Sequence, residues 1–479
     1  MIVYILRTTS HPKGDKLRIA VVGNGSLGLY SAIQTKLKFS DADVILVGPK
    51  ERTYAASTAA GAMVNVYAEM EHSEGSLLHA NERYLEMGKI STGLWKKFLL
   101  EINGLDCITS EDTYVYLQEN ASIFEESNYE AVIKYAQSDD VLEMLSKTAI
   151  SKSFPSHASA KVKSAIKIKG EFSFSVHKLF CLLDQFASKI GIQIYDTKVL
   201  SIDTDSLNLE TELETMKFDR IIVTAGIHTQ KLLASSSILP VYQGVGVAML
   251  INPVHNIEMQ KLRKGVFRSV NRGGAQCGIH LVPREDGKFY LGAGNYVSTI
   301  QEPVIRLDTI RYLLSTLEND LIGRECAYEL TGEFKLGLRP RSLDGFPMIG
   351  VLRSNPKIFV ATGTNRAGLT WAPFIGAEVI NWLKETEASK LINGWGPERN
   401  PIPYGSKIEG INYFANSRLS NSMEHGLISR GSDKSELLKK FNEFSQTAQV
   451  ISSQVSTKLN LPVGTTVNPD NWSAIISEN

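Results

Sequence analysis

The sequence predicts an α/β protein with a discontinuous, Rossmann-like parallel sheet, a second domain formed by insertions, and a helical extension at the C-terminal end. Three observations predict this class. A strand, turn and helix pattern near the start is followed by a second strand, which closes a βαβ unit within about thirty residues. Further short apolar strands, each ending in a glycine turn, recur much later in the chain. The segments between them differ in character from the sheet segments.

The first predicted element is a strand at residues 17–22, because an apolar run there stops at Gly23. A helical pattern of apolar residues follows at 27–37. A second apolar run at 43–47 ends in a Gly-Pro turn and predicts the next strand. Since parallel strands need such a crossover helix, a parallel sheet begins here.

Two later strands, at 220–223 and 357–361, extend this sheet, because each is short, rich in apolar β-branched residues and followed by a glycine turn. Residues 91–169 are dominated by amphipathic helix patterns such as 129–144, and residues 239–330 are richer in strands. We interpret these two stretches as insertions that form the second domain.

The predicted division of the chain follows from these patterns. Its boundaries are 17–90, 170–238 and 331–390 for the first domain, 91–169 and 239–330 for the second, and 391–479 for the C-terminal extension. In the extension, Asp433 and Glu436 predict a capping box at the start of one strong helix. The apolar face of this helix consists of Leu437, Phe441, Phe444, Ala448 and Ile451. We expect the helix to pack on its own chain; a contact between subunits of a homo-oligomer is the alternative.

The composition of the chain excludes several classes of protein. The chain has 479 residues, 43% of them hydrophobic, and its 51 Lys and Arg balance 51 Asp and Glu. This neutrality argues against nucleic acid as the main partner, and the apolar content argues against disorder. No apolar run approaches the roughly 18 residues of a membrane helix, and the run at residues 1–6 is too short for a signal peptide. We therefore expect a soluble, cytoplasmic protein that acts on small molecules.

The four cysteines lie about fifty or more residues apart, without histidines at ligand spacing. Neither a metal site nor a disulfide framework is predicted from such spacing.

Residues 23–28 form a G-x-G-x-x-G motif, Gly-Asn-Gly-Ser-Leu-Gly, between the first predicted strand and helix. In such a motif Gly23 permits the tight turn, Gly25 lets a pyrophosphate approach the backbone, and Gly28 lets the helix pack on the strand. The phosphates then lie at the positive N-terminus of the helix. This context predicts a dinucleotide-binding site.

One expected part of that site is missing. An acidic residue at the end of the second strand usually binds the adenosine ribose, and this sequence has Gly48 there. Glu51 or a backbone group is the alternative partner for the ribose.

Further motifs follow in order along the chain. A run of small residues at 56–62 suits close approach by a large flat ligand. Leu-Pro-Val-Tyr-Gln-Gly at 239–244 and Leu-Val-Pro-Arg at 281–284 come next. Gly-Leu-Arg-Pro at 337–340 and Ala-Thr-Gly-Thr-Asn-Arg-Ala-Gly-Leu at 361–369 complete the series. With these motifs the sequence, from about residue 17 to 385, resembles the D-amino-acid-oxidase-like family of FAD-dependent amine and amino-acid oxidoreductases, and within it the glycine oxidases.

The resemblance implies FAD rather than NAD as the cofactor, an FAD-binding first domain, and a substrate domain whose mixed sheet covers the flavin. The implied cofactor-binding residues are Gly23, Gly25, Ser26, Leu27, Gly28, Ser57, Thr58, Val199, Ala225, Gly226, Asn365, Arg366, Ala367, Gly368, Leu369 and Thr370. Relatives attach flavin covalently through a His or a Cys, and these positions are Thr58 and Gly337 here. We therefore expect FAD to be bound non-covalently.

The resemblance also implies three candidate catalytic residues. The carboxylate-binding arginine of the family falls on Arg339, and a planar guanidinium suits a carboxylate because two parallel hydrogen bonds fix its orientation. A second family arginine falls on Arg366, as a substrate or flavin contact. The family's substrate-facing tyrosine is His280 here, and we expect its charge to vary near neutral pH. A helix at 368–383 is expected to point its positive N-terminus at the pyrimidine edge of the flavin.

The implied reaction is oxidation of the C–N bond of an amino acid or related amine that carries a carboxylate. A hydride passes to flavin N5 and water hydrolyses the imine, while oxygen or another acceptor takes the electrons and oxygen gives hydrogen peroxide. Two alternatives stay open at this point: a larger amine as substrate, such as a modified nucleoside or a biosynthetic intermediate, and a non-catalytic FAD-binding protein.

Overall fold

The computed structural model describes residues 16–73, 76–253, 256–271, 278–299, 304–328, 330–424, 427–428 and 432–477. In chain order its strands are β1 (Arg18–Val22), β2 (Asp43–Val47), β3 (Met63–Val64), β4 (Ile108–Gln118), β5 (Leu142–Met144), β6 (Val162–Phe174), β7 (Gln193–Tyr195), β8 (Val199–Asp203), β9 (Asn208–Thr211), β10 (Thr215–Lys217), β11 (Arg220–Val223), β12 (Val241–Asn252), β13 (Val266–Ser269), β14 (His280–Pro283), β15 (Phe289–Ser298), β16 (Thr331–Ser342), β17 (Met348–Val351), β18 (Ile358–Thr362), β19 (Gly405–Ser406) and β20 (Thr465–Thr466).

The helices are α1 (Ser26–Lys38), α2 (Ser76–Glu101), α3 (Ile123–Ser138), α4 (Lys147–Ser153), α5 (Ser156–Ser159), α6 (Val176–Lys189), α7 (Thr229–Leu232), α8 (Ile257–Gln260), α9 (Leu307–Thr316), α10 (Arg324–Tyr328), α11 (Gly368–Leu383), α12 (Lys407–Glu424), α13 (Lys434–Leu459) and α14 (Trp472–Ser477). Among the helices of the described residues, none combines the length and the apolar character needed to cross a bilayer.

A six-stranded sheet in the order β17-β18-β11-β1-β2-β7 forms the Rossmann-like part of the fold. All neighbours are parallel except β17, which runs antiparallel to β18. Alternate residues of β1 enter different cores: Ile19 and Val21 face α1, α2, α6 and α11, whereas Ala20 and Val22 face the small sheet β8-β9-β10. Burial on both faces explains the continuous apolar strands. The predicted strand, helix and strand unit, and the two later strands, are confirmed within about one residue.

A second, nine-stranded mixed sheet follows the order β16-β12-β15-β14-β13-β4-β6-β3, with β5 also paired to β6. Only the β13 and β4 pair is parallel among the pairs described. One face of this sheet packs against α4, α5, α8 and α9 in an apolar core. On the other face, Val115 and Leu117 of β4 and Ile166 and Ile168 of β6 pack with α3 in a separate apolar cluster. The mixed sheet implied by the sequence is confirmed.

The strand pairing corrects two predicted domain boundaries. The boundary at 169/170 falls inside β6, which is continuous from Val162 to Phe174. The boundary at 330/331 would give β16 to the first domain, but β16 pairs along its whole length with β12 of the nine-stranded sheet. The helix predicted at 129–144 is α3, which begins six residues earlier behind the capping box of Ser122, and its last predicted residues form β5. The remaining domain boundaries stay predictions.

The C-terminal extension packs on its own chain. The N-cap of α13 is Asp433, whose side chain accepts a hydrogen bond from the Glu436 backbone N–H at 2.9 Å. Of the predicted apolar face, Ala448 is fully buried and Ile451 packs beside it, whereas the earlier positions stay partly exposed. This cluster rests on Tyr242 of β12 and on Leu343 just after β16. The extension therefore covers the β16 edge of the nine-stranded sheet.

Candidate active site

A single cavity of ≈1120 Å³ lies between the two large sheets and contains most of the predicted site residues. This volume exceeds the roughly 300–1,000 Å³ of ordinary ligand pockets, as a dinucleotide with a substrate beside it requires. The predicted residues that line it are Gly23, Gly25, Ser26, Leu27, Ser57, Val199, Ala225, Gly226, His280, Arg339, Asn365, Arg366, Ala367, Gly368, Leu369 and Thr370. Gly28 and Thr58 are predicted cofactor-binding residues that do not line it.

The glycine motif forms the turn that the sequence predicts. Gly23 has φ +102°, a conformation that glycine adopts without strain, and its N–H donates to Val47 O at 2.9 Å. A Cβ on Gly28 would lie 1.7 Å from Gly23 O, so this glycine serves the contact between helix and strand rather than the cavity. Gly25 is the N-cap of α1 and opens onto the cavity. The turn fits the role of a phosphate cradle.

The position of the missing ribose acid is filled by an amide. The Nδ2 of Asn24 donates to Gly48 O at 3.0 Å and to Pro49 O at 2.8 Å. A Cβ on Gly48 would lie within 3.1–3.3 Å of Asn24. Glu51, the alternative ribose partner in the sequence, lines the cavity nearby. The assignment of Glu51 to the ribose stays a prediction.

The carbonyl groups of the small-residue segment 56–62 hold it against the nine-stranded sheet. The Tyr290 hydroxyl donates to Ala59 O at 2.8 Å, and the Arg284 guanidinium donates to Ala60 O at 3.1 Å and Gly61 O at 3.3 Å. Thr58 donates its hydroxyl to main-chain carbonyls of its own loop. Thr58 is therefore a structural residue of the loop. Non-covalent attachment of FAD stays a prediction.

The N-terminus of α11 opens onto the cavity, since Gly368, Leu369 and Thr370 all line it. Asn365, just before this helix, has φ +46° and is fixed by its N–H bond to Pro340 O at 2.9 Å. Its Oδ1 atom is buried without a hydrogen-bond partner among the residues that the structure describes. An unpartnered amide oxygen beside a helix N-terminus fits a polar ligand such as the flavin ring.

Arg339 reaches the cavity across a glycine. It lies opposite Gly244 on β12, and a Cβ on Gly246 would come within 2.7 Å of its Nη2 and 3.0 Å of its Nε. The guanidinium therefore lies over Gly246, which has no side chain of its own. Both residues line the cavity. This geometry presents a planar cation to a small ligand.

Arg366 differs from the prediction in its charge environment. Its Nη2 donates to Glu71 Oε1 at 2.9 Å, and its Nε lies 3.4 Å from Glu69 Oε2. Two carboxylates therefore neutralise this guanidinium before any ligand arrives. The sequence does not show that Glu69 and Glu71 fold against Arg366, and the role of Arg366 as a substrate or flavin contact stays a prediction.

His280 is buried, and its ring stacks on Tyr290 with centroids 5.8 Å apart. Its Nδ1 lies 3.0 Å from Gly278 O, and a carbonyl oxygen can only accept, so the neutral ring carries its proton on Nδ1. Burial, followed by the positive charge of Arg268, lowers the pKa of the imidazole to about 3. The expectation that its charge varies near neutral pH is therefore wrong. Nε2 is then the acceptor atom of the ring, and no hydrogen bond to it is found among the described residues; His280 lines the cavity.

The pKa of His280 predicts an acid-side loss of stability. The unfolded imidazole, with a pKa of about 6.5, takes up a proton that the folded one does not, so the free energy of unfolding falls as pH drops from about 6.5 toward 3. In His280→Gln this contribution disappears, and the acid-side slope should decrease by up to about 1.4 kcal/mol per pH unit. Urea unfolding of the FAD-saturated protein at pH 7 and pH 5 measures it. Equal slopes for both proteins would contradict a neutral His280.

A buried polar network beside His280 was not predicted. Burial alone would raise the pKa of Glu69. The positive charges of Arg268 and Arg366 together have a larger effect than burial, and the pKa is lowered to about 2. Glu69 is therefore anionic at the cavity wall. Arg268, fully buried, also hydrogen-bonds Asn271 at 2.8 Å. In the sequence, only the acidic pair Glu69 and Glu71 points to this network. The pair alone does not predict an ion-pair network, because its arginine partners lie some 200–295 residues away.

Known proteins are similar to this chain over most of its length. The family model described as FAD dependent oxidoreductase matches residues 18–382. A glycine oxidase from Geobacillus kaustophilus (strain HTA426) is 23% identical over 378 residues, which are 78% of this chain and 94% of that protein. The crystal structure of glycine oxidase from Geobacillus kaustophilus superposes with a TM-score of 0.66 at 21% identity, covering 80% of this chain and 99% of that one. The crystal structure of iminodiacetate oxidase from Chelativorans sp. BNC1 has a TM-score of 0.66 at 18% identity, covering 79% and 99% of the two chains.

Proposed function

Because this chain belongs to the family of FAD dependent oxidoreductases, as its motifs predict, we propose that it oxidises the C–N bond of an amino acid or related amine carrying a carboxylate. The observation that carries the proposal is the Arg339 guanidinium, which lies over Gly246 in the same cavity as the glycine turn at Gly23 and Gly25. One end of the cavity thus suits the phosphates of FAD, and the other suits a carboxylate.

When bound, FAD supplies the acceptor for the hydride that leaves the carbon bearing the amine. The oxidised substrate is then an imine, which water hydrolyses to a carbonyl compound and an amine. The relatives named above are both called oxidases, which supports oxygen as the final acceptor and hydrogen peroxide as its product.

The chain's own contribution is orientation and charge. Arg339 fixes the carboxylate through two parallel hydrogen bonds, and this sets which C–H bond faces the flavin. The bare Nε2 of His280 accepts an N–H of the amine, because the proton on Nδ1 is committed to Gly278 O. A neutral amine has the nitrogen lone pair that hydride loss requires, so no protein base is needed in this proposal. The dipole at the N-terminus of α11 favours negative charge beside it.

The proposal is tested by mixing the FAD-saturated protein anaerobically with a panel of amino acids, N-alkyl amino acids and larger amines. We expect at least one amine with a carboxylate to bleach the flavin absorbance near 450 nm, about two electrons per flavin. Admission of air should restore the absorbance with release of hydrogen peroxide.

Gly25→Val is the matched control. Its added side chain starts 3.2 Å from Ser57 Oγ and fills the phosphate cradle, whereas its backbone angles suit any residue. This variant should retain its fold and lose FAD. Bleaching only by amines without a carboxylate would favour the larger-amine alternative. A protein that binds FAD but is bleached by no amine would favour the non-catalytic one.

A further inference from the structure

Glu69 presents a carboxylate to the cavity. The residue belongs to the cavity lining, and 25% of its side-chain surface is exposed. It nevertheless lies deep in the molecule, since burial is the largest single influence on the pKa of its carboxyl group. The exposed quarter of the side chain therefore faces the cavity rather than the outer surface, and a ligand in the cavity can reach it.

The partners of Glu69 keep it ionised but leave part of its acceptor capacity unused. Arg268 donates to Oε1, whereas the contacts of Oε2 are long, at 3.3 Å from Asn271 Nδ2 and 3.4 Å from Arg366 Nε. Arg366 makes its shorter bond, at 2.9 Å, to Glu71. Since a carboxylate has about four lone-pair sites, Oε2 can still accept a shorter, charge-assisted hydrogen bond from a cationic donor.

The cavity carries charges of opposite sign near His280. Burial and the charge of Arg268 have the largest effects on the pKa of this ring. Smaller effects come from Glu69, which raises the pKa, and from Arg339, which lowers it. Because such effects fall with distance, both charges lie near the ring, and all three side chains belong to residues that line the cavity. The same part of the cavity thus presents an anion and a cation.

We propose that Glu69 is a subsite for a positively charged amine of the substrate, in the same cavity as the carboxylate site at Arg339. An ammonium group has only donors and a carboxylate only acceptors, so the two match in charge and in hydrogen bonding. The inference rests on the proposed function and narrows its substrate class to amino acids that bind with a protonated amine.

This amine is either the reacting one, in the protonated form in which it enters, or a second amine on the side chain of the substrate. In the first case the amine releases its proton to water before hydride transfer, which needs the nitrogen lone pair. In the second case the side-chain amine stays protonated throughout the reaction.

Pairs of ligands that differ by one charge test the subsite without turnover. Trimethylammonioacetate and 3,3-dimethylbutanoate have the same shape, but only the first has a quaternary nitrogen. The longer pair, 4-trimethylammoniobutanoate and 5,5-dimethylhexanoate, places the charge at side-chain distance from the carboxylate. A quaternary nitrogen has no lone pair, so these ligands do not reduce the flavin. Titration of the FAD-saturated protein, followed by flavin absorbance or calorimetry, gives the dissociation constants.

In wild type the charged member of at least one pair should bind about tenfold or more tightly, because it forms an ion pair that its neutral isostere cannot form. A preference within the short pair assigns the subsite to the reacting amine, and a preference within the long pair assigns it to a side-chain amine. In Glu69→Gln the preference should fall below about twofold, while the neutral member binds within about threefold of wild type.

Glu71→Gln is the matched control. It removes the other carboxylate bonded to Arg366, but Glu71 is not among the described residues that line the cavity, so the preference should persist. Glu69→Asp is a second test variant that leaves Arg268 a buried anion, so its fold should be retained. Its carboxylate is withdrawn from the cavity by one methylene group, and the preference should fall by about threefold or more.

Equal affinities within both pairs in wild type would overturn the inference. The same holds for a preference that persists in Glu69→Gln, since other groups, such as aromatic rings, would then attract the cation. Choline with 3,3-dimethylbutan-1-ol, a pair without a carboxylate, separates the inference from the proposed function. If carboxylates fail to bind but choline is preferred through Glu69, the proposed function fails and the subsite stands. If carboxylates bind through Arg339 without any preference for a cation, the reverse holds.

Discussion

Replacing Arg339 by Leu should weaken carboxylate binding by about a hundredfold or more and leave FAD in place. Charge-assisted hydrogen bonds contribute roughly 1.5–3 kcal/mol each, and a guanidinium makes two to one carboxylate. The guanidinium lies over Gly246, and both residues line the cavity in which we expect the ligand to bind. Titration of the oxidised flavoprotein with simple carboxylates, and the substrate concentration dependence of anaerobic flavin reduction, measure the effect.

Arg339→Lys is the graded comparison. An ammonium keeps the charge but not the planar fork, so this variant should bind carboxylates more weakly than wild type and more tightly than Arg339→Leu. An uncharged amide analogue should bind all three proteins with similar affinity. Wild-type carboxylate affinity in Arg339→Leu would show that another group holds the carboxylate, and the proposed substrate class would then fail.

The sequence predicts those parts of the site whose conformation is determined by residues close by in the chain. The turn at Gly23 and the start of α11 at Gly368 depend on residues within a few positions, so glycine spacing and apolar periodicity predict them. The pairing of Arg366 depends on Glu71, and the low pKa of His280 depends on its burial and then on Arg268; both partners are remote in sequence. Residue type alone could not predict either, because the fold decides which groups are buried and which charges meet.

The same distinction holds for the fold. The six-stranded sheet was predicted because each of its central strands is a short apolar run with its own glycine turn. The edge strand of the nine-stranded sheet, β16, was not predicted to belong to it. This strand pairs with β12 about 90 residues earlier, and its sequence motif led to its assignment to the first domain.

The C-terminal extension lies outside the family match, which ends at residue 382, yet it contacts a loop that lines the cavity. Asp344, just after β16, is fully buried and accepts a bidentate pair of bonds from Arg399 at 2.8 and 2.9 Å. Arg399 also donates to Pro347 O at 3.0 Å. Gly345 and Pro347 of this loop line the cavity. Arg399 of the extension therefore holds this cavity-lining loop in place through buried hydrogen bonds.

A second set of contacts fixes the same loop. Arg341 pairs with Asp470 at 3.1 Å, and the Nδ2 of Asn471 donates to Ser342 O and Leu343 O, both at 2.9 Å. Gly345 has φ +84°, and a Cβ on it would lie 2.5 Å from Asn468 Nδ2. The extension thus contacts the loop from both of its ends, through side chains that have no role in the six-stranded sheet.

Replacing Arg399 by Met should therefore lower the free energy of unfolding by about 3–5 kcal/mol, because it leaves the Asp344 carboxylate buried without its cation. Urea unfolding of the FAD-saturated protein measures this, and fluorescence titration should show weaker FAD binding.

Arg324→Met, at an exposed arginine, should change stability by no more than about 0.5 kcal/mol. In the double variant Arg399→Met with Asp344→Asn, the unpaired charge is gone, so stability should recover in part and the two changes should be non-additive. A loss below about 1 kcal/mol in Arg399→Met, or additive effects in the double variant, would mean that the extension only covers the sheet edge and does not support the cavity.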